Sequence, residues 1–241
     1  MGLWYQAGTR PARVIVPTHP GFGGTPRPEA LVSIGGLARV YAALISKLGL
    51  DGVTVIGNSI GGWIAAELAL VARARISSLV LVDAVGIEVP GHPVADVFPL
   101  SLDELSRLSY HDPLRFRVDT SKFTPEQKAM RAANIAALRL YGGSMDPSLR
   151  ARLSTIAVPT LVLWGESDRV ADVEYGRAYA QAIAGAGSGC SMAPGTCRRS
   201  RHRSFWRKRS GLSSPRTRLA ALDLAQLGGV EPRVHRRTHS R

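Results

Sequence analysis

Apolar positions along this chain fall into two patterns. Short, nearly continuous apolar runs occur at Arg13–Val16, Val53–Ile56, Leu79–Val82 and Pro159–Trp164. Such runs fit strands of a parallel sheet buried on both faces. Between them, apolar residues recur at helical spacing. Leu37, Val40, Tyr41, Leu44, Ile45 and Leu48 mark one helix, which Gly49 and Asp51-Gly52 close. A second begins at Trp63, and a third runs from Val173 with Tyr175, Ala178, Tyr179 and Ile183 on one face. From 87 to 156 the alternation stops, and helical patterns follow one another at 102–108, 125–141 and 147–153. The pattern predicts an α/β fold, a mostly parallel sheet flanked by helices. Its parts are 1–86, an inserted helical segment 87–156, a return to the sheet at 157–187, and a tail 188–241 of different composition.

The candidate chemistry sits where one strand meets one helix. Val53-Thr54-Val55-Ile56 runs into Gly57-Asn58-Ser59-Ile60-Gly61-Gly62, and a helical pattern starts at once. Gly-x-Ser-x-Gly between a strand and a helix is the context of a nucleophile elbow, a turn so tight that only glycine fits beside the serine. The plain alternative is a glycine-rich turn that merely joins the two elements.

On these residues the chain resembles the α/β-hydrolases, in the serine branch that includes esterases and hydrolases of C–C bonds in β-diketones. Serine at position 59 is unlike the epoxide hydrolases and haloalkane dehalogenases of that superfamily, which carry aspartate there. Pro20-Gly21-Phe22-Gly23 is similar to a loop lying near the pocket in the family, and Gly165-Glu166-Ser167-Asp168 to its acid loop. The resemblance implies a partial α/β-hydrolase fold with a helical cap at 87–156. It implies Ser59 as nucleophile, Asp168 as the acid that orients a histidine, and the Ile60 N–H as an oxyanion donor. Gly57, Asn58, Gly61 and Gly62 complete the elbow. Asp83 is expected to hold the neighbouring loop, His19 to cap loop backbone, and His111 to be a surface or capping residue. Glu166 and Asp172 are expected in solvent, and Leu100, Leu105, Phe116 and Phe123 in the core of the cap.

Composition adds three limits. At 241 residues the chain can bury about 70% of its unfolded surface as one domain with an insertion. Residues 1–13 contain no apolar leader segment and no run is long enough to cross a bilayer, so a soluble cytoplasmic protein is expected. Cys190 and Cys197 suggest neither a disulfide framework nor a metal site. No cofactor is expected, and the partner is a small-molecule substrate.

Charge changes the picture only at the end. The net charge is +13, of which +2 falls on 1–187 and +11 on 188–241. Where the family has another strand and its histidine, this chain has Gly187-Ser188-Gly189-Cys190 and an arginine-rich stretch, with no apolar strand. One explanation is a genuine basic tail, disordered or bound to acidic partners. The other is a shifted reading frame. Read one base earlier, the codons of Met192-Ala193 force glycine. Those through Phe205 permit Gly-Ala-Gly-His-Leu-Pro-Gln-Ile-Glu-Ala-Pro-Glu-Leu, which resembles the family's histidine segment. That histidine falls over Thr196, 28 residues after Asp168. The positive charge is then no evolved nucleic-acid site. His202 is the stand-in base within the sequence as written.

A second expected gap is the family strand between the Arg13–Val16 and Val53 strands, with the loop that supplies the other oxyanion donor. Its absence predicts unpaired strand edges and a loss of roughly 10²–10³ in turnover. Three functions remain open: a serine hydrolase of esters or diketones with impaired activity, a catalytically dead fragment of one, and a basic-tail binding protein whose nucleic-acid affinity falls steeply with salt.

Overall fold

The computed structural model describes residues 3–7, 10–116, 118–142, 146–191 and 218–222. The chain opens with an antiparallel hairpin, β1 (Leu3–Ala7) and β2 (Arg10–Ile15). Then come α1 (Ile34–Lys47), β3 (Val53–Asn58), α2 (Ile60–Val71) and β4 (Ile76–Val82). The inserted segment contributes α3 (Leu102–Ser109), α4 (Pro125–Gly142) and α5 (Leu149–Arg152). The sheet resumes with β5 (Thr160–Gly165), followed by α6 (Val173–Ala182), β6 (Gly187–Ser191) and β7 (Arg218–Leu222). No helix among the described residues is long and apolar enough to cross a membrane.

The seven strands lie in the order β1-β2-β7-β3-β4-β5-β6, and every neighbouring pair except β1/β2 is parallel. Both faces of the central strands are covered. Val53 and Val55 of β3 and Leu79 and Leu81 of β4 are buried, as the continuous apolar runs predict. Thr54 and Ser78 are the polar exceptions. They are register partners, and each satisfies the other through a buried hydroxyl pair at 2.7 Å. Helix α2 is buried from Ile60 to Ala69, because Gly61, Gly62, Ala65, Ala66 and Ala69 let it lie close to the sheet. Ser33 caps α1 by accepting from the Gly36 N–H.

Two expectations at the chain ends fail. The segment from Gly187 is not apolar, yet it forms β6 against β5. The space between β2 and β3 is not left open either, since β7 occupies it. In both places the neighbouring strand's backbone supplies the pairing, which side-chain pattern does not report. The sheet therefore takes in parts of the segment 188–241, and the boundary after residue 187 falls inside β6. The segment before Arg13 does form a strand, but β1 pairs on the outer side of β2.

The inserted segment packs less tightly than expected. Phe116 is 44% exposed and stacks on Tyr110. Leu100, Leu105 and Phe123 are only half-buried. The buried residues of this segment lie mainly on one face of α4, at Asn134, Ala137, Leu138 and Tyr141, and at the segment's two ends, at Ile87, Leu149, Leu153 and Ile156.

Candidate active site

Three adjacent parallel strands bring the candidate residues to one edge of the sheet. Asn58 ends β3, Val82 ends β4 and Gly165 ends β5, with Asn58 opposite Val82 and Val82 opposite Leu163. Ser59 and Asp83 follow the ends of β3 and β4 directly and Asp168 lies three residues past the end of β5, on the edge where open α/β sheets place their ligands. Ser59 and Asp168 stand two strands apart, roughly 10 Å in the plane of the sheet.

The elbow has the strained geometry its sequence predicts. Ser59 has φ 53°, and Asp83, with φ 46°, is the other non-glycine residue in this region among those described. Such conformations cost of order 1–3 kcal/mol and persist only where surroundings enforce them. The enforcement here is visible. The Ser59 N–H donates to Val82 O at 2.9 Å, and Ser59 O accepts from Gly62 N–H at 2.9 Å and Val85 N–H at 3.3 Å. The glycines are required by close approach. A Cβ on Gly57 would lie 2.1 Å from Gly61 O, and one on Gly62 would lie 2.4 Å from the Ala84 Cβ. The Ile60 N–H belongs to the first turn of α2, where no helix carbonyl can accept it.

Asp168 is half-buried. Its Oδ1 accepts from the Val170 N–H at 2.7 Å and the Ala171 N–H at 3.3 Å. Desolvation, with the Asp83 charge adding to it, raises its pKa to about 6 despite those two bonds. Asp83 accepts from the Gly165 N–H at 2.7 Å and so ties the end of β4 to the acid loop, the structural role its position suggests. Burial also pushes its pKa upward.

Helix α4 packs on the loop 20–23 and on the elbow. Tyr141 stacks on Phe22 with centroids 6.3 Å apart and donates to Pro20 O at 3.0 Å. Asn134 Oδ1 accepts from the Gly23 N–H at 2.9 Å. A Cβ on Gly142 would lie 2.7 Å from the Ile60 side chain, so α4 ends against the elbow itself. Sequence reading missed these contacts. The Gly142-Gly143 pair at the end of the helical pattern is the one signal of a close approach there.

The histidines are placed elsewhere. His19 is 5% exposed, and its Nδ1 shares a short hydrogen bond with the Tyr41 hydroxyl. It does not cap loop backbone as expected, because Thr25 takes the loop carbonyls of His19 and Phe22. His92 pairs with Asp172 at 2.7 Å. Asp172, expected in solvent, also caps α6 through the Tyr175 N–H. Glu166 is exposed as expected. His111 is exposed with its Nδ1 3.0 Å from Ser167 Oγ, beside the acid but not on it. Among the described residues no imidazole hydrogen-bonds to Ser59 or Asp168. His202 lies outside the described residues, as does Thr196. Among the described residues there is no His, Cys, Asp and Glu cluster that could hold a metal ion.

Comparison with known proteins places the fold. The model of the Alpha/beta hydrolase family matches residues 2–222. A 2-hydroxy-6-oxononadienedioate/2-hydroxy-6-oxononatrienedioate hydrolase of Pseudomonas putida is 31% identical over 184 residues, covering 68% of this chain and 64% of that protein. A 2-hydroxy-6-oxo-2,4-heptadienoate hydrolase of Pseudomonas putida is 31% identical over 190 residues, covering 69% and 65%. The chain thus spans less than two thirds of the length of these relatives. Among solved structures, a hydrolase from Pseudomonas aeruginosa superposes with TM-score 0.54 at 24% identity, over 73% of this chain and 69% of that one. A bromoperoxidase from Bacillus anthracis gives 0.52 at 20%, over 71% and 70%. At these identities the structural matches speak to the fold.

Proposed function

The chain belongs to the α/β-hydrolase family, and on that premise we propose that it hydrolyses a carbonyl compound, a carboxylic ester or the C–C bond of a diketone, through attack by Ser59. The observation that carries the proposal is the strained Ser59 backbone at the carboxyl end of β3, with Asp168 on the same sheet edge. In this reading Ser59 Oγ adds to the substrate carbonyl carbon and the Ile60 N–H steadies the oxyanion. A neutral imidazole takes the Ser59 Oγ proton, and Asp168 orients that ring and stabilises the imidazolium that forms, with His202 as the base that the sequence as written offers. Water releases the product, so the reaction needs no cofactor. The names of the two Pseudomonas putida relatives support the C–C branch, with a small vinylogous keto acid as substrate. The proposed setting is cytoplasmic.

A second feature of the proposal is low turnover. His19, His92 and His111 are each committed to Tyr41, Asp172 and Ser167, which favours an impaired or inactive site. The test is hydrolysis of 4-nitrophenyl acetate and of a 2-hydroxy-6-oxo-dienoic acid by the chain and its Ser59→Ala variant. Slow hydrolysis lost on substitution is expected. Hydrolysis that Ser59→Ala leaves unchanged would defeat the proposal.

A further inference from the structure

The loop that carries Asp168 is held by two different parts of the molecule. Its roots belong to the sheet. The Gly165 N–H donates to Asp83 at 2.7 Å, and the Trp164 indole N–H donates to Ala171 O at 2.8 Å. Between these anchors, among the described residues, the bonds that leave the loop go to the inserted segment. The Arg169 N–H donates to Leu108 O at 2.8 Å, and Val170 O accepts from the Ala95 N–H at 2.7 Å. His111 Nδ1 lies 3.0 Å from Ser167 Oγ. Just past Ala171, His92 Nδ1 lies 2.7 Å from Asp172 Oδ2.

Asp168 stands in the middle of these ties. Val170 connects it to the inserted segment through a single residue. The Val170 N–H donates to Asp168 Oδ1 at 2.7 Å, and the Val170 carbonyl accepts from Ala95. Residues 166–172 belong to no helix or strand, so no regular ladder of backbone bonds fixes them. Moving a catalytic group by about 1 Å can cost roughly 10²-fold in rate. A carboxylate on such a loop therefore depends on whatever the loop is tied to.

We propose that His92 and His111 are positioning residues for Asp168, and that with Ala95 and Leu108 they make the inserted segment a clamp on the acid loop. The proposal rests on the reading of Asp168 as the acid that orients the imidazole. It gives the inserted segment a second task besides covering the sheet edge, because docking of 92–111 sets where the carboxylate stands. The clamp also keeps water from that carboxylate, since burial is the largest influence on its ionisation. It accounts for why two histidines so near the acid loop are turned to Asp172 and Ser167 and not to Asp168 itself.

The test uses the full chain with His92→Ala and His111→Ala. His111 is exposed and His92 half-buried, so the fold should survive, with unchanged hydrogen exchange of the Val53–Gly57 amides as the control. The Ala95 and Arg169 amides, which donate across the clamp, should exchange at least about tenfold faster. The Asp168 carboxyl, followed by carbon NMR and assigned with Asp168→Asn, should titrate lower, moving from about 6 toward the ordinary carboxylate value of about 4. The sign separates positioning from charge. Asp168 feels Asp83 from the end of β4 and Asp172 from its own loop, with His92 beside Asp172, His111 beside Ser167, and Glu166 and Arg169 exposed on the same loop. Deleting two imidazoles removes only positive charge, which by itself pushes a carboxyl pKa up. A downward move therefore reports water reaching the carboxylate. Unchanged exchange at Ala95 and Arg169, or a titration that stays at about 6 or rises, would overturn the proposal. His92→Asn with His111→Asn places an amide near each Nδ1 and should restore both readouts, and a pair that behaves like the alanines would count against it. The milder Ser167→Ala removes only the hydroxyl that His111 meets, and both readouts should move the same way there; no movement is a second route to refutation. These readouts do not depend on catalysis. In turnover, kcat of the double alanine variant should fall at least about tenfold with KM little changed. If exchange and titration move as expected while Ser59-dependent hydrolysis does not, the clamp stands and the reading of Asp168 as the acid falls.

Discussion

Arg152 grips Glu67 with both arms of its guanidinium, Nη1 at 2.8 Å and Nη2 at 2.6 Å from the two carboxylate oxygens. Glu67 is a carboxylate 5% exposed on the helix that begins at Ser59, and Arg152 is the last residue of α5. The pair therefore joins the chain leaving the inserted segment to the elbow helix, and Asp146 holds Arg152 from the other side. Removing the arginine alone strands a buried charge, which costs roughly 3–5 kcal/mol where both partners are buried. The Arg152 side chain is 39% exposed, so Arg152→Ala should cost less, about 2–3 kcal/mol. Urea unfolding checks this. The double change Glu67→Gln with Arg152→Met should recover much of the loss, because the buried Glu67 charge is gone and only the partly exposed Asp146 loses its Arg152 partner.

His19 sets an acid limit on stability. Burial lowers its pKa from 6.5 to about 4. The unfolded chain therefore binds the proton first as pH falls, and the stability contributed by neutral His19 is complete above about pH 6.5 and drains away toward pH 4. Replacing it by glutamine, which still reaches Tyr41, should flatten that part of the pH profile. A thermal melt series from pH 7 to 4.5 reads the difference.

Asp168 acts with the opposite sign. Its pKa, raised to about 6, means that the native state holds the proton more tightly than the unfolded chain. Stability is highest below the ordinary carboxylate pKa and is lost as pH rises through 6. Asp168→Asn keeps an oxygen for the Val170 and Ala171 N–H groups and removes the charge. It should stabilise the fold at pH 7 by about 1–2 kcal/mol, with the gain vanishing near pH 4, and it should reduce any hydrolytic activity. Such a trade of stability for chemistry is expected at an active site.

The elbow tolerates no added carbon. Gly62→Ala forces a methyl group against the Ala84 Cβ, and overpacking of this kind costs about 1–3 kcal/mol. It should lower the melting temperature and abolish turnover together, whereas Gly91→Ala, with open space around the Cβ, should affect stability only through its positive φ and leave turnover intact.

Much of this architecture was legible because strand and helix signals agreed locally. The run Val53–Ile56 followed by glycines at 57, 61 and 62 fixes strand, turn and helix together, and the structure follows it closely. β6 and β7 were not legible, since Gly-Ser-Gly-Cys-Ser and Arg-Leu-Ala-Ala-Leu are extended by pairing with β5 and β3. The three carboxylates Glu67, Asp83 and Asp172 show the same division. Asp83 could be placed by its position after an apolar strand. Glu67 and Asp172 take partners 80 residues or more away in sequence, and no local pattern announces them. One clue was present for Glu67, a lone charge inside a helix apolar on every side.

The most direct measurement is covalent capture of residue 59. Incubating the chain with a fluorophosphonate and locating the adduct by mass spectrometry should show slow, single-site modification of Ser59, lost in Ser59→Ala and weakened in Asp168→Asn. Modification that survives Ser59→Ala, or a Ser59 that stays unlabelled while other serines react, would contradict the view that this hydroxyl is the nucleophile.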